Sequence, residues 1–191
     1  MPDLSSQKTG HIVISSGYSI MSNRIIILNG PSGSGKSTLA RILRELILKK
    51  RGEMYAVVSI DDFLKMSVRE TIYEDDVFGI SPEIIESAAR ALRAGGGVII
   101  DHVITSKRIF DQLTDAFNGC DTKLIRVTCP REVLKAREAL RGDRCPGSAE
   151  ASDAYLFPKE GYDLTVDTHA ASAAECAERI FSFIFQQGPE D

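Results

Sequence analysis

The sequence has no tryptophan, and aromatic residues make up only 7% of its 191 residues. It has four cysteines, Cys120, Cys129, Cys145 and Cys176. None forms a C-x-x-C pair, and no histidine stands at zinc-ligand spacing from them. A disulfide scaffold or a zinc module is therefore excluded as an expectation. Reduced thiols and a cytoplasmic location are expected instead. Long apolar runs are also lacking. Residues 25–28 and 181–185 are among the longest, and a bilayer needs about 20. The N-terminus has neither the charged start nor the long apolar region of a secretory signal. Nor is positive charge in excess: Lys+Arg 23 against Asp+Glu 27 gives a net charge of −4. A basic surface for nucleic acid is not expected overall, although a local basic cluster stands near Arg137.

What is present is an alternation of short apolar runs and amphipathic stretches. Residues 24–29 (RIIILN) read as a strand covered on both faces. Residues 36–50 are amphipathic, with Leu39, Ile42, Leu43, Leu46 and Ile47 on one helix face. Further strands are predicted at 55–60, 98–103, 123–129 and 164–166. Helices are predicted at 82–94, 106–117, 130–140 and 172–185, the first with Ser81 as N-cap and Pro82 at its first position. This order gives an α/β fold: a five-stranded parallel sheet with helices on both faces. Residues 63–80 and 141–163 break the rhythm and read as irregular, the kind of segment that gathers around a site. Residues 1–22 read as a flexible extension, with a conceivable short strand at 11–15. The domain is expected over residues 23–187, with a lid region at about 138–160.

Between the first strand and first helix lies Gly30-Pro31-Ser32-Gly33-Ser34-Gly35-Lys36-Ser37-Thr38, a complete G-x-x-x-x-G-K-[ST] phosphate loop. Glycines permit backbone angles that a Cβ would forbid. The loop amides then point at phosphate oxygens, helped by the positive end of the following helix. Lys36 reaches the β- and γ-phosphates, and the Ser37 hydroxyl serves Mg²⁺. The chain has no N-K-x-D element to read guanine, so ATP is the expected nucleotide.

Other charged residues fall at strand ends. Asp101 closes the apolar run Val98-Ile99-Ile100 and is expected to hold Mg²⁺ through water. His102 reads as a loop residue or a polar support. Asp61 and Asp62 end the second strand, where an acceptor would sit. Transfer to an alcohol needs a carboxylate near the hydroxyl, and Asp61 is the preferred base, with Asp62 the alternative. Arg137 and Arg141 share a helix face, and Arg144 follows a glycine turn. All three are expected to stabilise charge on the transferring group from a lid.

The runs RIIILNGPSGSGKS, VSIDDF, GGVIIDHV, VTCPREVLKAREALRGDR and EGYDLTVDT, taken in order over residues 24–185, resemble chloramphenicol phosphotransferase and its relatives. The resemblance implies a P-loop kinase fold of the nucleoside-monophosphate-kinase type and MgATP-dependent phosphorylation of a small-molecule hydroxyl. It implies phosphate and Mg²⁺ roles for Lys36 and Ser37, a base at Asp61, and lid charges at Arg137, Arg141 and Arg144. Tyr162, Asp163, Asp167 and Thr168 match the last run without an assigned role. The Asp-Asp-Phe element is also similar to uridine and nicotinamide riboside kinases, so nucleoside-type acceptors stand beside antibiotics. An ATP-hydrolysing switch without an acceptor is a third reading. Residues 63–80 do not match a chloramphenicol-binding pattern. Their acids Glu70, Glu74, Asp75 and Asp76 would suit a basic or hydroxyl-rich acceptor, or simply be solvated. The expected partners are ATP and a small hydroxyl-bearing acceptor, with no membrane or nucleic acid. Homodimerisation is left open.

Overall fold

A computed structural model of the chain describes residues 24–65, 73–141 and 147–186. Strand β1 (Arg24–Asn29) is buried from Ile25 onward, because it is central and covered on both faces. It runs through the phosphate loop into α1 (Lys36–Arg51). Then come β2 (Tyr55–Ser59), α2 (Ile60–Leu64), α3 (Glu74–Arg93), β3 (Gly97–His102) and α4 (Lys107–Ala116). The chain continues with β4 (Asp121–Thr128), α5 (Arg131–Arg141), α6 (Ser148–Tyr155), β5 (Leu164–Asp167) and α7 (Ala173–Phe185). The sheet order is β2-β3-β1-β4-β5, and every pairing is parallel.

The pleat divides the core in two. Ile26, Leu28, Ile99 and Ile125 point to the layer that contains Leu39 and Leu43 of α1 and Ile180 and Phe181 of α7. Ile25, Ile27, Val98 and Ile100 point to the opposite layer, with Ile84 and Ala88 of α3 and Ile109 and Leu113 of α4. The chain leaves β1 toward β2 on one side and reaches β4 on the other. The crevice beyond the β1 carboxyl end is therefore a topological switch point, where ligands of such sheets bind.

The structure corrects two segments of the sequence reading. Pro82 does not start a helix: α3 begins at Glu74 and carries Pro82 in its interior. Its buried period persists through the proline at Ser81, Ile84, Ala88 and Leu92, and burial of that face outweighs the lost backbone bond. The Ser81 hydroxyl donates to the Val77 carbonyl at 2.8 Å rather than capping a helix. Asp76 accepts the Tyr73 amide at 2.9 Å, which closes the true N-terminus. Residues 141–163 are likewise not wholly irregular, because α6 lies among them. Its sequence SAEASDAY buries only Ala149, so it shows almost no apolar period. The second strand also ends one residue early, with Ile60 beginning α2. Residues 11–15, Arg69, Glu70, Arg144 and Cys145 lie outside the described residues. Among the described residues, no helix is long and apolar enough to cross a membrane.

Candidate active site

The phosphate loop wraps the start of α1. Gly35 adopts φ 86°, a left-handed angle that glycine tolerates best. Gly30 is held by a different constraint: a Cβ there would lie 2.2 Å from the Val127 carbonyl oxygen on β4. That oxygen belongs to a ladder strand and cannot swing aside. Gly30→Ala should therefore lower stability by about 1–3 kcal/mol or more, read as a shift in the urea midpoint. An unchanged midpoint would show that β4 gives way.

Lys36 is buried, and its Nζ donates to the Pro31 carbonyl at 2.8 Å and to Ser34 Oγ at 3.4 Å. The Ser37 hydroxyl donates to Asp101 Oδ2 at 2.5 Å, and Ser59 Oγ lies 3.3 Å from the same oxygen. Register explains this meeting, since β3 places Asp101 beside Leu28 of β1 and Ser59 of β2. Ser37 and Asp101 are hard oxygen donors beside the phosphate loop, and such a pair fits Mg²⁺, which takes one or two protein oxygens plus phosphates and water.

A cavity of about 490 Å³ opens here. Ser32, Gly33, Gly35, Lys36, Ser37 and Thr38 line it from the loop, and Asp101 and Val103 from the end of β3. Asp61, on the first turn of α2, faces the same cavity. Asp62 does not line it; it is exposed and stands 3.7 Å from Lys65 Nζ. Geometry thus separates two acids that the sequence left as alternatives. Arg137, Leu140 and Arg141 enter the cavity from α5.

Arg137 is more constrained than a lid residue was expected to be. It donates to the Gly33 carbonyl at 3.2 Å, to Thr168 Oγ1 at 3.2 Å and to the Thr168 carbonyl at 3.1 Å. It therefore ties the phosphate loop to the turn after β5. Thr168 completes that tie, its hydroxyl donating to the Ser34 carbonyl at 2.7 Å. Sequence reasoning matched Thr168 to a distinctive run but gave it no role. Leu140 was also missed: it stands 88% exposed within the cavity, where its apolar surface can meet a ligand. Its signal was an apolar residue between Arg137 and Arg141, out of phase with the buried face of α5.

The described acids after α2, Glu74, Asp75 and Asp76, are each paired within the fold. Glu74 bonds Ser106 and, at 2.8 Å, Arg108 Nε. Asp75 also pairs with Arg108, and Asp76 closes the start of α3. Glu74 and Asp75 thus join α3 to α4.

His102 is the last residue of β3, not a loop residue, and is fully buried. Its ring nitrogens find no well-aligned hydrogen-bond partner, although the Val103 backbone lies close enough to act on one of them. Burial pushes its pKa down to about 4; the nearby Val103 carbonyl and Asp61 oppose this, and Lys36 adds to it. The unfolded chain takes this proton near pH 6.5, the folded one only near 4. Stability of the nucleotide-free protein should therefore fall by about 3 kcal/mol as pH drops through that window. Above it the group contributes no pH dependence. His102→Leu should remove this slope in pH-resolved urea unfolding; an identical slope would assign it to other groups.

The chain matches the chloramphenicol phosphotransferase-like protein family over residues 23–184. No curated protein matches it. Among solved structures, the APS kinase of Mycobacterium tuberculosis with AMPPNP and APS superposes with TM-score 0.69 at 16% identity, covering 84% of this chain and 96% of that one. A gluconokinase from Sinorhizobium meliloti gives 0.63 at 22%, covering 88% and 94%. The tunicamycin resistance protein of Deinococcus radiodurans gives 0.59 at 19%, covering 85% and 95%. These likenesses show a shared P-loop kinase fold, and the family match over most of the length shows the rest: the chain belongs to the chloramphenicol phosphotransferase-like family of small-molecule phosphotransferases.

Proposed function

We propose that the protein transfers the γ-phosphoryl group of ATP to a hydroxyl of a small molecule, with an antibiotic as the acceptor class. The observation that carries this reading is Asp61 lining the same cavity as Lys36 and Ser37. A triphosphate on the loop would direct its terminal phosphate toward that space. Asp61 takes the acceptor's hydroxyl proton as the oxygen bonds to the γ-phosphorus. The bond from that phosphorus to the β–γ bridging oxygen breaks, and ADP leaves. Lys36 holds the β- and γ-phosphates, while Ser37 and Asp101 would hold Mg²⁺, which neutralises phosphate charge when bound. Arg137 keeps the loop in shape, and Arg141, with Arg144 beyond the described residues, supplies positive charge to the transferring group.

Support for ATP comes from the AMPPNP-bound APS kinase that shares the fold. Support for an antibiotic comes from the family match and from the tunicamycin resistance protein. A nucleoside or riboside is the second reading, favoured by the Ser59-Ile60-Asp61-Asp62-Phe63 element. The test is acceptor-dependent ADP release, measured against antibiotics, nucleosides and sugars with MgATP. Turnover on an antibiotic supports the first reading, and turnover on nucleosides alone replaces it with the second. ADP release indifferent to every acceptor would sink both and leave an ATP-hydrolysing switch.

A further inference from the structure

Helix α6 has little apolar surface to hold it, yet three sets of polar contacts fix it in place. At its N-terminal end, Glu138 of α5 accepts from the Gly147 amide at 2.9 Å, the Ser148 hydroxyl at 2.6 Å and the Ala149 amide at 2.7 Å. These donors, the Ser148 hydroxyl foremost, hold the Glu138 carboxyl below the usual carboxylate range. Along its side, Glu150 pairs with Arg131 at 3.0 Å and Lys135 at 3.7 Å, both on α5. Beyond its C-terminal end, Asn29 Nδ2 donates to the Phe157 carbonyl at 2.9 Å and the Phe157 amide donates to the Ile104 carbonyl at 2.9 Å.

Through Ser152 the helix reaches the catalytic face. Ser152 Oγ accepts the backbone amide of Ser32, in the phosphate loop, at 2.9 Å. The same hydroxyl donates to the Ala149 carbonyl at 2.9 Å, so its acceptor lone pair is aimed at the loop. We propose that Ser152 and Glu138 are positioning residues: Ser152 holds the Ser32 amide of the phosphate loop, and Glu138 holds α6 in the place from which Ser152 can do so. The sequence separates Glu138 from Ser32 by more than a hundred residues, and no direct contact joins them. The link runs through α6. Glu138 stands between Arg137 and Arg141 in sequence, yet its carboxylate is taken up by the N-terminal end of α6.

The proposal rests on the phosphotransferase reading for its purpose, since a preset loop lowers the ordering cost of binding a triphosphate. Its test does not need the acceptor. Amide hydrogen exchange in the nucleotide-free protein reads the Ser32 bond directly. Ser152→Ala should speed exchange of the phosphate-loop peptide about tenfold or more, while Ser152→Thr, which keeps the hydroxyl, stays near wild type. Glu138→Ala should speed exchange in α6 and also in the phosphate loop it does not touch. Glu138→Gln, which keeps one acceptor oxygen, should fall between. AMPPNP affinity should weaken severalfold in the two alanine variants. Exchange in the β1 and β3 peptides should not change, which separates this effect from general loosening. Unaltered loop exchange in Glu138→Ala, or in Ser152→Ala, overturns the proposal. A chain that phosphorylates none of the acceptors tried would overturn the functional reading and leave the exchange coupling standing.

Discussion

Replacing Asp61 by Asn should lower acceptor-dependent turnover by about 10²–10⁴-fold, the usual worth of a positioned general base, or roughly 3–5 kcal/mol of barrier. Asn keeps the shape and can still accept a hydrogen bond, but it cannot take the hydroxyl proton. Asp61 sits on α2, a separate element from the loop that carries Lys36 and Ser37. AMPPNP affinity by calorimetry should therefore stay within about threefold of wild type. The control is Asp62→Asn. Asp62 is exposed beside Lys65 and away from the cavity, so its variant should behave as wild type. Turnover of Asp61→Asn within threefold of wild type would remove Asp61 from the mechanism. A loss in Asp62→Asn instead would exchange the two roles.

The Lys36→Ala variant should fail differently, losing both nucleotide affinity and turnover. Its Nζ lies against the Pro31 carbonyl and Ser34 Oγ, already folded over the loop. With a triphosphate present, a buried cation in that place makes charge-assisted bonds to phosphate oxygens, each worth about 1.5–3 kcal/mol. Losing one or two of them predicts about a 10–10⁴-fold drop in kcat/KM. The fold should survive, because the desolvation cost of the buried ammonium, which alanine removes, offsets the loss of its bonds to Pro31 and Ser34. Thermal unfolding without nucleotide should thus show no loss of stability, while the stabilisation added by AMPPNP should largely vanish. Nearly normal AMPPNP affinity in this variant would refute the assignment of Lys36 to the phosphates.

Much of the site was legible because it is local in sequence. The phosphate loop is one continuous run, and its glycines, Lys36 and Ser37 carry their chemistry in their spacing. Asp61 and Asp101 were legible because each stands at or just past the carboxyl end of an apolar strand, and such ends converge on the switch point of a parallel sheet. The helix start at residue 74 was not legible, since a proline inside a helix is tolerated only when packing on both sides outweighs it. Helix α6 was invisible for the opposite reason. It has almost no apolar face, and polar contacts from α5 and the phosphate loop hold it.

Burial and pairing depend on partners far away in the chain, and sequence does not carry them. Glu74 and Asp75 read as an acidic lining or as solvated acids until Arg108 of α4 is seen to take both. Arg137 read as a lid charge for the transferring group, and only the structure shows that Thr168 and Gly33 hold it. By itself the sequence determined the strand–helix alternation, the parallel sheet and the phosphate loop, because apolar periodicity and a contiguous motif act over a few residues. Only the tertiary structure decided which acid faces the cavity, which arginine is fixed, and how α6 reaches Ser32, because those depend on residues brought together by the crossing of separate chain segments.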